Sequence, residues 1–266
     1  QLIIRDGGLL LSNTLGFGPG GNVSVAATDS IELSGINALK PSDGSGIFST
    51  ASGSGIGGNI TVTTPRLVLQ QGAQVTSRTS GFGQGGNLTV NASDSITASG
   101  TSNSGKAIST ASSNTFSSGL FAQTSGAGDA GQLTIETGRL RVLDGAQIST
   151  ITLNDGAAGN LLVRADDVEL AGVALAADGE VIPTTITPVI ASGLFASTYP
   201  NSKGNGATLR VETKRLSLRD GALVQTSTLG SGDAGNLIIK ASDSVELAGT
   251  VKGELYPSSI QSLSGG

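Results

Sequence analysis

The sequence predicts an all-β solenoid of about eight stacked three-stranded coils, and three observations predict it. Glycine fills 41 of 266 positions while aromatic residues make up only 3 %. A Gly-Asn pair followed by alternating aliphatics recurs along the whole chain. The intervals between these recurrences alternate between one fixed length and a longer, variable one, the mark of a repeat architecture.

Composition sets the problem such a fold has to solve. Glycine at roughly 15 % is about twice its ordinary share, and charged residues reach only 13 %. No ordinary aromatic-rich core can be built from this. Yet hydrophobic residues make up 37 %, mean hydropathy is +0.12 and the net charge is −5, whereas disorder needs low hydrophobicity and high net charge. The apolar residues must be organised by a regular device.

That device is the repeat. Its anchors are Gly21, Gly58, Gly86, Gly131, Gly159, Ala207 and Gly235, spaced 37, 28, 45, 28, 48 and 28 residues apart. The second and fourth residues after every anchor are Val, Ile or Leu, as in Val23 and Val25 or Leu133 and Ile135. A first strand such as Leu133-Thr134-Ile135 is followed by a second, Leu140-Arg141-Val142, then Gly145, then a third around Ile148. Three strands and three corners make one coil, and a Gly-rich turn leads to the next anchor. Stacked in parallel at ~4.8 Å per layer, about eight coils make a rod on the order of 35 to 40 Å long. Small residues suit its narrow interior, and glycine at the corners permits positive φ.

Residues 1–266 are expected to form a single β-helix domain that is a fragment of a longer chain. Leu2 to Asn22 matches Leu216 to Asn236 in residue type, including Arg5-Asp6-Gly7 against Arg219-Asp220-Gly221, so the first coil starts partway round. The last residues, Ser264-Gly265-Gly266, carry no cap.

Two ladders are expected along the stack. Asn22, Asn59, Asn87, Gln132, Asn160 and Asn236, with Thr208 between the last two, form a polar row read as a side-chain amide ladder. Eight residues after each anchor come Asp29, Arg66, Asp94, Arg139, Asp167, Arg215 and Asp243, alternating in sign. Opposite charges on neighbouring strands favour one register over the next. The second strand starts one residue late in three of the long coils, so Asp29, Asp94 and Asp243 are placed at the corner rather than on the strand.

The long coils differ from the short ones between second and third strands, with insertions at about 36–45, 101–118 and 173–192 on one edge of the rod. Just after them come Gly46-Ile47-Phe48, Gly119-Leu120-Phe121 and Gly193-Leu194-Phe195. Ile47 and Leu120 belong to the inward row with Val75, Ile148 and Val224; Leu194 joins only if the turn after it absorbs two extra residues. Phe48, Phe121 and Phe195 should then point outwards, either under their own insertions as local mini-cores or as a docking stripe for a glycan, a partner protein or a sister rod.

Most chemistry is excluded. Without His or Cys there are no disulfides, thiolate zinc sites, imidazole ligands or Ser-His-Asp and Cys-His nucleophile systems. Asp129 and Asp233 sit in turns like those of calcium-binding β-rolls, but the equivalent residues elsewhere are Pro19, Ile56, Gln84, Ala157 and Asn205, so the carboxylates do not recur. The one adjacent acidic pair, Asp166-Asp167, has no aromatic platform around it and reads as structural. No catalytic, cofactor or metal residue is therefore expected, and the chain is read as no enzyme. A pI near 4.7 with scattered basic residues argues against nucleic acid, and no apolar run approaches the ~20 residues of a bilayer span.

The pattern Gly-Asn-Leu-Thr-Val plus Ala-Ser-Asp-Ser-Ile/Val-Glu-Leu-Ser/Ala-Gly, at Gly21 to Gly35 and Gly235 to Gly249, occurs together with Ser-Gly-Leu-Phe-Ala at Ser118 to Ala122 and Ser192 to Ala196. It resembles the repeat region of filamentous haemagglutinin-like exoproteins exported by two-partner secretion, over essentially the whole chain. The resemblance implies a right-handed parallel β-helix in a secreted or outer-surface bacterial fibre that acts in adhesion, aggregation or matrix building. Self-association into fibres, or a glycan or surface protein, would be its partner. The family's secretion domain is not recognisable here. A polysaccharide-degrading enzyme or glycan-binding module is the alternative, and an ice- or crystal-binding repeat a third.

Overall fold

The computed structural model describes residues 1–266 except 38–43, 104–114, 176–188, 201, 252–255 and 266. Its strands are β1 (Leu2–Arg5), β2 (Leu9–Thr14), β3 (Val23–Ala26), β4 (Ser30–Ser34), β5 (Gly46–Ala51), β6 (Ile60–Gln70), β7 (Gln74–Thr79), β8 (Leu88–Ser99), β9 (Gly119–Thr124), β10 (Leu133–Leu143), β11 (Gln147–Thr152), β12 (Leu161–Ala171), β13 (Gly193–Thr198), β14 (Leu209–Arg219), β15 (Leu223–Thr228), β16 (Leu237–Ala248) and β17 (Ser259–Ser264). All their pairings are parallel. One sheet runs β1-β4-β6-β8-β10-β12-β14-β16, with β3 also beside β6; the other runs β2-β5-β7-β9-β11-β13-β15-β17. The chain alternates between the sheets, stacking one layer per passage, as a parallel repeat protein does.

The core follows from this stacking. Val23, Ile60, Leu88, Leu133, Leu161, Leu209 and Leu237 are consecutive register partners, so the first aliphatic after each anchor lies in one file. A second file on the opposite wall joins Leu10, Ile47, Val75, Leu120, Ile148, Leu194, Val224 and Ile260. Leu194 is fully buried in it, and the turn from Tyr199 to Ala207 is two residues longer than its neighbours, which is the slack that placement requires. Beyond the aliphatics the interior turns polar. Thr79, Thr124, Thr152, Thr198 and Thr228 form a buried file at the strand ends. Thr152 donates to the Ala157 carbonyl (2.9 Å) and Thr228 to that of Asp233 (3.1 Å), satisfying turn carbonyls that small residues leave bare.

Two local expectations change. The first and second strands of a coil are not separate: six of the strands in the long-stranded sheet run 11 or 12 residues through the corner. In β6 the buried residues are Ile60, Val62 and Thr64, then Leu67 and Leu69, so Pro65 and Arg66 both face outwards. That slip bends the strand while its backbone stays extended, and because neighbouring layers bend together the ladder continues round the corner. Strands β8 and β16 take one extra residue there as a β-bulge. Only β3 and β4 keep the break.

Glycine also works differently at the two kinds of corner. Positive φ is confined to one of them: Asp144-Gly145 turns with φ of 54° and 85°, and Gly172 (78°) takes the matching place in the following layer. The Gly-rich turns have ordinary φ and need glycine for closeness instead, since a Cβ on Gly53 or Gly81 would collide with the carbonyl oxygen of the glycine one layer away.

The insertions leave at the positive-φ corner. Antiparallel bridges close their bases at Ile36 with Gly44, Thr101 with Ser117 and Val173 with Ala191; the interiors fall outside the described residues. A fourth such base, Thr250 with Pro257, was not expected. No later anchor follows it in the chain to reveal the lengthened interval. At each base a serine clamps the neighbouring corner: Ser192 accepts from the Gly145 amide (2.9 Å) and donates to the Ala171 carbonyl (2.7 Å). Ser45, Ser118 and Ser258 accept likewise from Gly7, Gly72 and Gly221.

Candidate functional site

The phenylalanine stripe lies on the outer face of the short-stranded sheet. Phe48, Thr76, Phe121, Ser149, Phe195 and Gln225 are successive partners in one file, and Gly46, Gln74, Gly119, Gln147 and Gly193 form the file beside it. Residues two apart on a strand share a face. Each ring therefore lies over the glycine two places before it, where an added Cβ would meet the ring. Gln74 and Gln147 stand between the glycines, and their amides donate to the carbonyls of Ser117 (3.0 Å) and Ala191 (3.3 Å) at the insertion bases. All three rings lie on the outward side of the strand, as expected, but none stands wholly free: Phe121 is only 4 % exposed, while Phe48 and Phe195 are half-buried. Folded back over a glycine, each ring lies along the sheet instead of projecting from it.

The polar row is also built differently from an amide stack. Asn59 N–H donates to Asn22 Oδ1 (2.9 Å), Asn87 N–H to Asn59 Oδ1 (2.8 Å), Gln132 N–H to Asn87 Oδ1 (2.9 Å) and Thr208 N–H to Asn160 Oδ1 (2.9 Å). Each of these four Asn side chains thus holds the backbone of the next layer. For Gln132 and Asn236 no such donor lies among the described residues. Sequence reasoning missed a second row of this kind, in which Ala157 N–H donates to Asp129 Oδ1 (2.8 Å) and Asp233 N–H to Asn205 Oδ1 (3.0 Å). The signal was there: these are the turn positions weighed for calcium.

The alternating charges pair in part. Arg66 binds Asp29, and Asp167 sits between Arg139 (3.8 Å) and Arg215 (2.5 Å). The bulges move Asp94 and Asp243 off the file, opposite which Ser95 and Ser244 stand, and each carboxylate accepts from the preceding serine instead. A larger network lies on β10, β12 and β14. Glu136, Arg164, Glu212 and Arg210 pair in sequence, Lys214 pairs with Asp166, and Glu169 joins Arg141 (2.8 Å) to Arg219. Burial alone would raise the Glu169 pKa; the Arg141 hydrogen bond and the charges of Arg141 and Arg219 outweigh it and hold the carboxyl below its usual range. The Arg210 and Arg164 hydrogen bonds lower Glu212 in the same way.

A carboxyl depressed in the folded state contributes stability above its unfolded pKa of about 4.3 and loses it as pH falls through the folded value. Wild-type protein should accordingly lose stability on acidification below about pH 4.3. Glu169→Gln, with a neutral amide in that place, should flatten part of this slope. Urea midpoints for both proteins across that range are the measurement, and parallel curves would mean that Glu169 carries none of it.

Beside the network, an open groove of about 540 Å³ follows the strand bend, lined by Thr63, Thr64, Asn91, Ser93, Glu136 and Asp166, among others. Both carboxylates already hold a cation, Arg164 at 3.0 Å and Lys214 at 3.1 Å. Among the described residues no three of His, Cys, Asp and Glu gather as a metal site, and no helix is long and apolar enough to cross a membrane. The chain matches no family model, no curated protein and no solved structure.

Proposed function

We propose that this chain is a structural and adhesive rod, part of a secreted or outer-surface bacterial fibre of filamentous haemagglutinin-like type that acts in adhesion, aggregation or matrix building. In this reading it is a right-handed parallel β-helix of about eight coils, alternately short and long. Its partners are further copies, end to end or side by side, and a glycan or surface protein. One observation carries the reading: layer after layer is tied to the next by backbone ladders, Asx side chains on backbone amides, clamping serines and ion pairs, all directed along the axis. Cohesion along an axis is what a load-carrying fibre requires.

Immunogold labelling of native cells with an antibody to this chain, viewed in negative stain, tests it. Label on thin surface fibres is expected, and label confined to the cytosol overturns the proposal. A second reading, polysaccharide cleavage, is favoured only by Glu136 and Asp166 lining one groove. Release of oligosaccharides that Glu136→Gln abolishes would establish it.

A further inference from the structure

The Gly-rich turns carry an exposed feature that the cohesion of the rod does not use. After β2, β5 and β7 they read Leu15-Gly16-Phe17-Gly18-Pro19, Ser52-Gly53-Ser54-Gly55-Ile56 and Ser80-Gly81-Phe82-Gly83-Gln84. The turns are in register layer to layer: Gly20 N–H donates to the Ile56 carbonyl and Gly57 N–H to the Gln84 carbonyl, each at 2.7 Å. Gly53 lies on Gly16 and Gly81 on Gly53; Gly55 lies on Gly18 and Gly83 on Gly55, all too closely for any side chain. Between these two bare files stands a single file of side chains, Phe17, Ser54 and Phe82. Phe17 is 88 % exposed and Phe82 80 %.

Glycines flank each ring along the chain, and only Ser54 lies between them. Both rings stand clear, two layers or ~9.6 Å apart, on a base too tightly stacked to yield. Leu15 and Ile56, also exposed, widen the patch. Farther along the same file come Ala127, Asp155, Lys203 and Ser231, so the apolar stretch is confined to three turns.

The chemistry of this patch selects its partner. Its four large apolar side chains present on the order of 600 Å². A second copy seated on it would bury about 1,200 Å² in total, only the bottom of the range for a stable interface. An anionic polymer or lipid surface calls for Lys or Arg, and the first cation in the file is Lys203. What suits two unobstructed rings at a fixed interval is an extended polymer whose flat apolar faces recur at that interval. Pyranose rings offer such faces in their C–H groups, and in a β-1,4-linked chain the same face returns every second ring, at a repeat close to the Phe17–Phe82 spacing. Ser54 then faces the intervening sugar with a hydroxyl.

We propose that Phe17 and Phe82 form a binding ridge for an uncharged, extended β-1,4-linked polysaccharide lying along the axis of the stack. The inference stands on the ridge alone and does not need the surface-fibre reading. Depletion of the whole chain from solution by phosphoric-acid-swollen cellulose tests it, with amylose as the differently coiled control. Wild type should bind cellulose and not amylose, Phe17→Ser and Phe82→Ser should each weaken binding at least tenfold, and Phe82→Trp should retain it. Both sites are exposed, and unchanged urea midpoints would show the variants folded. Absence of cellulose binding, or binding that the double serine variant keeps, overturns the proposal. So does binding of neutral phosphatidylcholine vesicles, or self-association in sedimentation velocity, that the same substitutions abolish while cellulose goes unbound. None of these outcomes bears on where the protein resides, which microscopy reads separately.

Discussion

Gly126→Ala should cost at least about 3 kcal/mol, placing it in the severe tail of single substitutions. Backbone strain is not the cause, because Gly126 is not among the positive-φ residues. The new Cβ would fall on the carbonyl oxygen of Gly81 in the next layer. Relief requires the layers to part, and the bonds that would stretch are Ser125 N–H to the Thr79 carbonyl (2.9 Å) and Gly85 N–H to that of Asp129 (2.7 Å). The adjacent residue is the control: Ala127→Ser sits in the outward file that already holds Ser54 and Ser231, and should shift stability by no more than about 0.5 kcal/mol. Urea unfolding of the two variants decides the matter. Equal midpoints would mean that the turns do not stack glycine on glycine.

The inward files were legible in the sequence because burial at period two leaves a direct signature: every position two and four residues after an anchor had to be aliphatic. Register followed, since Leu133 and Leu161 occupy the same place in their repeats. The bend through Pro65 and Arg66 was not legible, because a corner in alternation looks the same whether the strand ends there or turns. That the Phe48, Phe121 and Phe195 rings lie back over Gly46, Gly119 and Gly193 is a matter of rotamer and not of spacing. Asn22 was correctly picked out as part of a row, but its amide can bond a side chain or a backbone N–H, and only the position of Asn59 N–H decides between them. Phe17 and Phe82 were overlooked although both stand four residues before an anchor. Their triplets Gly16-Phe17-Gly18 and Gly81-Phe82-Gly83 were absorbed into the general glycine excess, when the informative feature was what stood between the glycines.

A charge in the central aliphatic file should be at least as damaging. Leu133 is fully buried, with Leu88 on one side and Leu161 on the other. Removing its side chain to Ala would cost about 2 to 5 kcal/mol, and Leu133→Asp adds an ion with no cation within the aliphatic interior, so a loss above about 4 kcal/mol is expected. Stability in a stack is the sum of each layer and its contacts with two neighbours. Damage at Leu133 therefore weakens two interfaces together, β8 with β10 and β10 with β12, and should divide the stack there before it melts elsewhere. Limited proteolysis should cut first in the turns bordering β10, while fragments from the outer layers persist. Leu237→Asp provides the contrast: this residue is half-buried and pairs with Leu209 alone among the described residues, so a carboxylate there keeps access to water. It should cost less than half as much. Equal losses at the two positions, or uniform cleavage along the chain, would show that the layers unfold as one body and that cohesion is not passed from neighbour to neighbour.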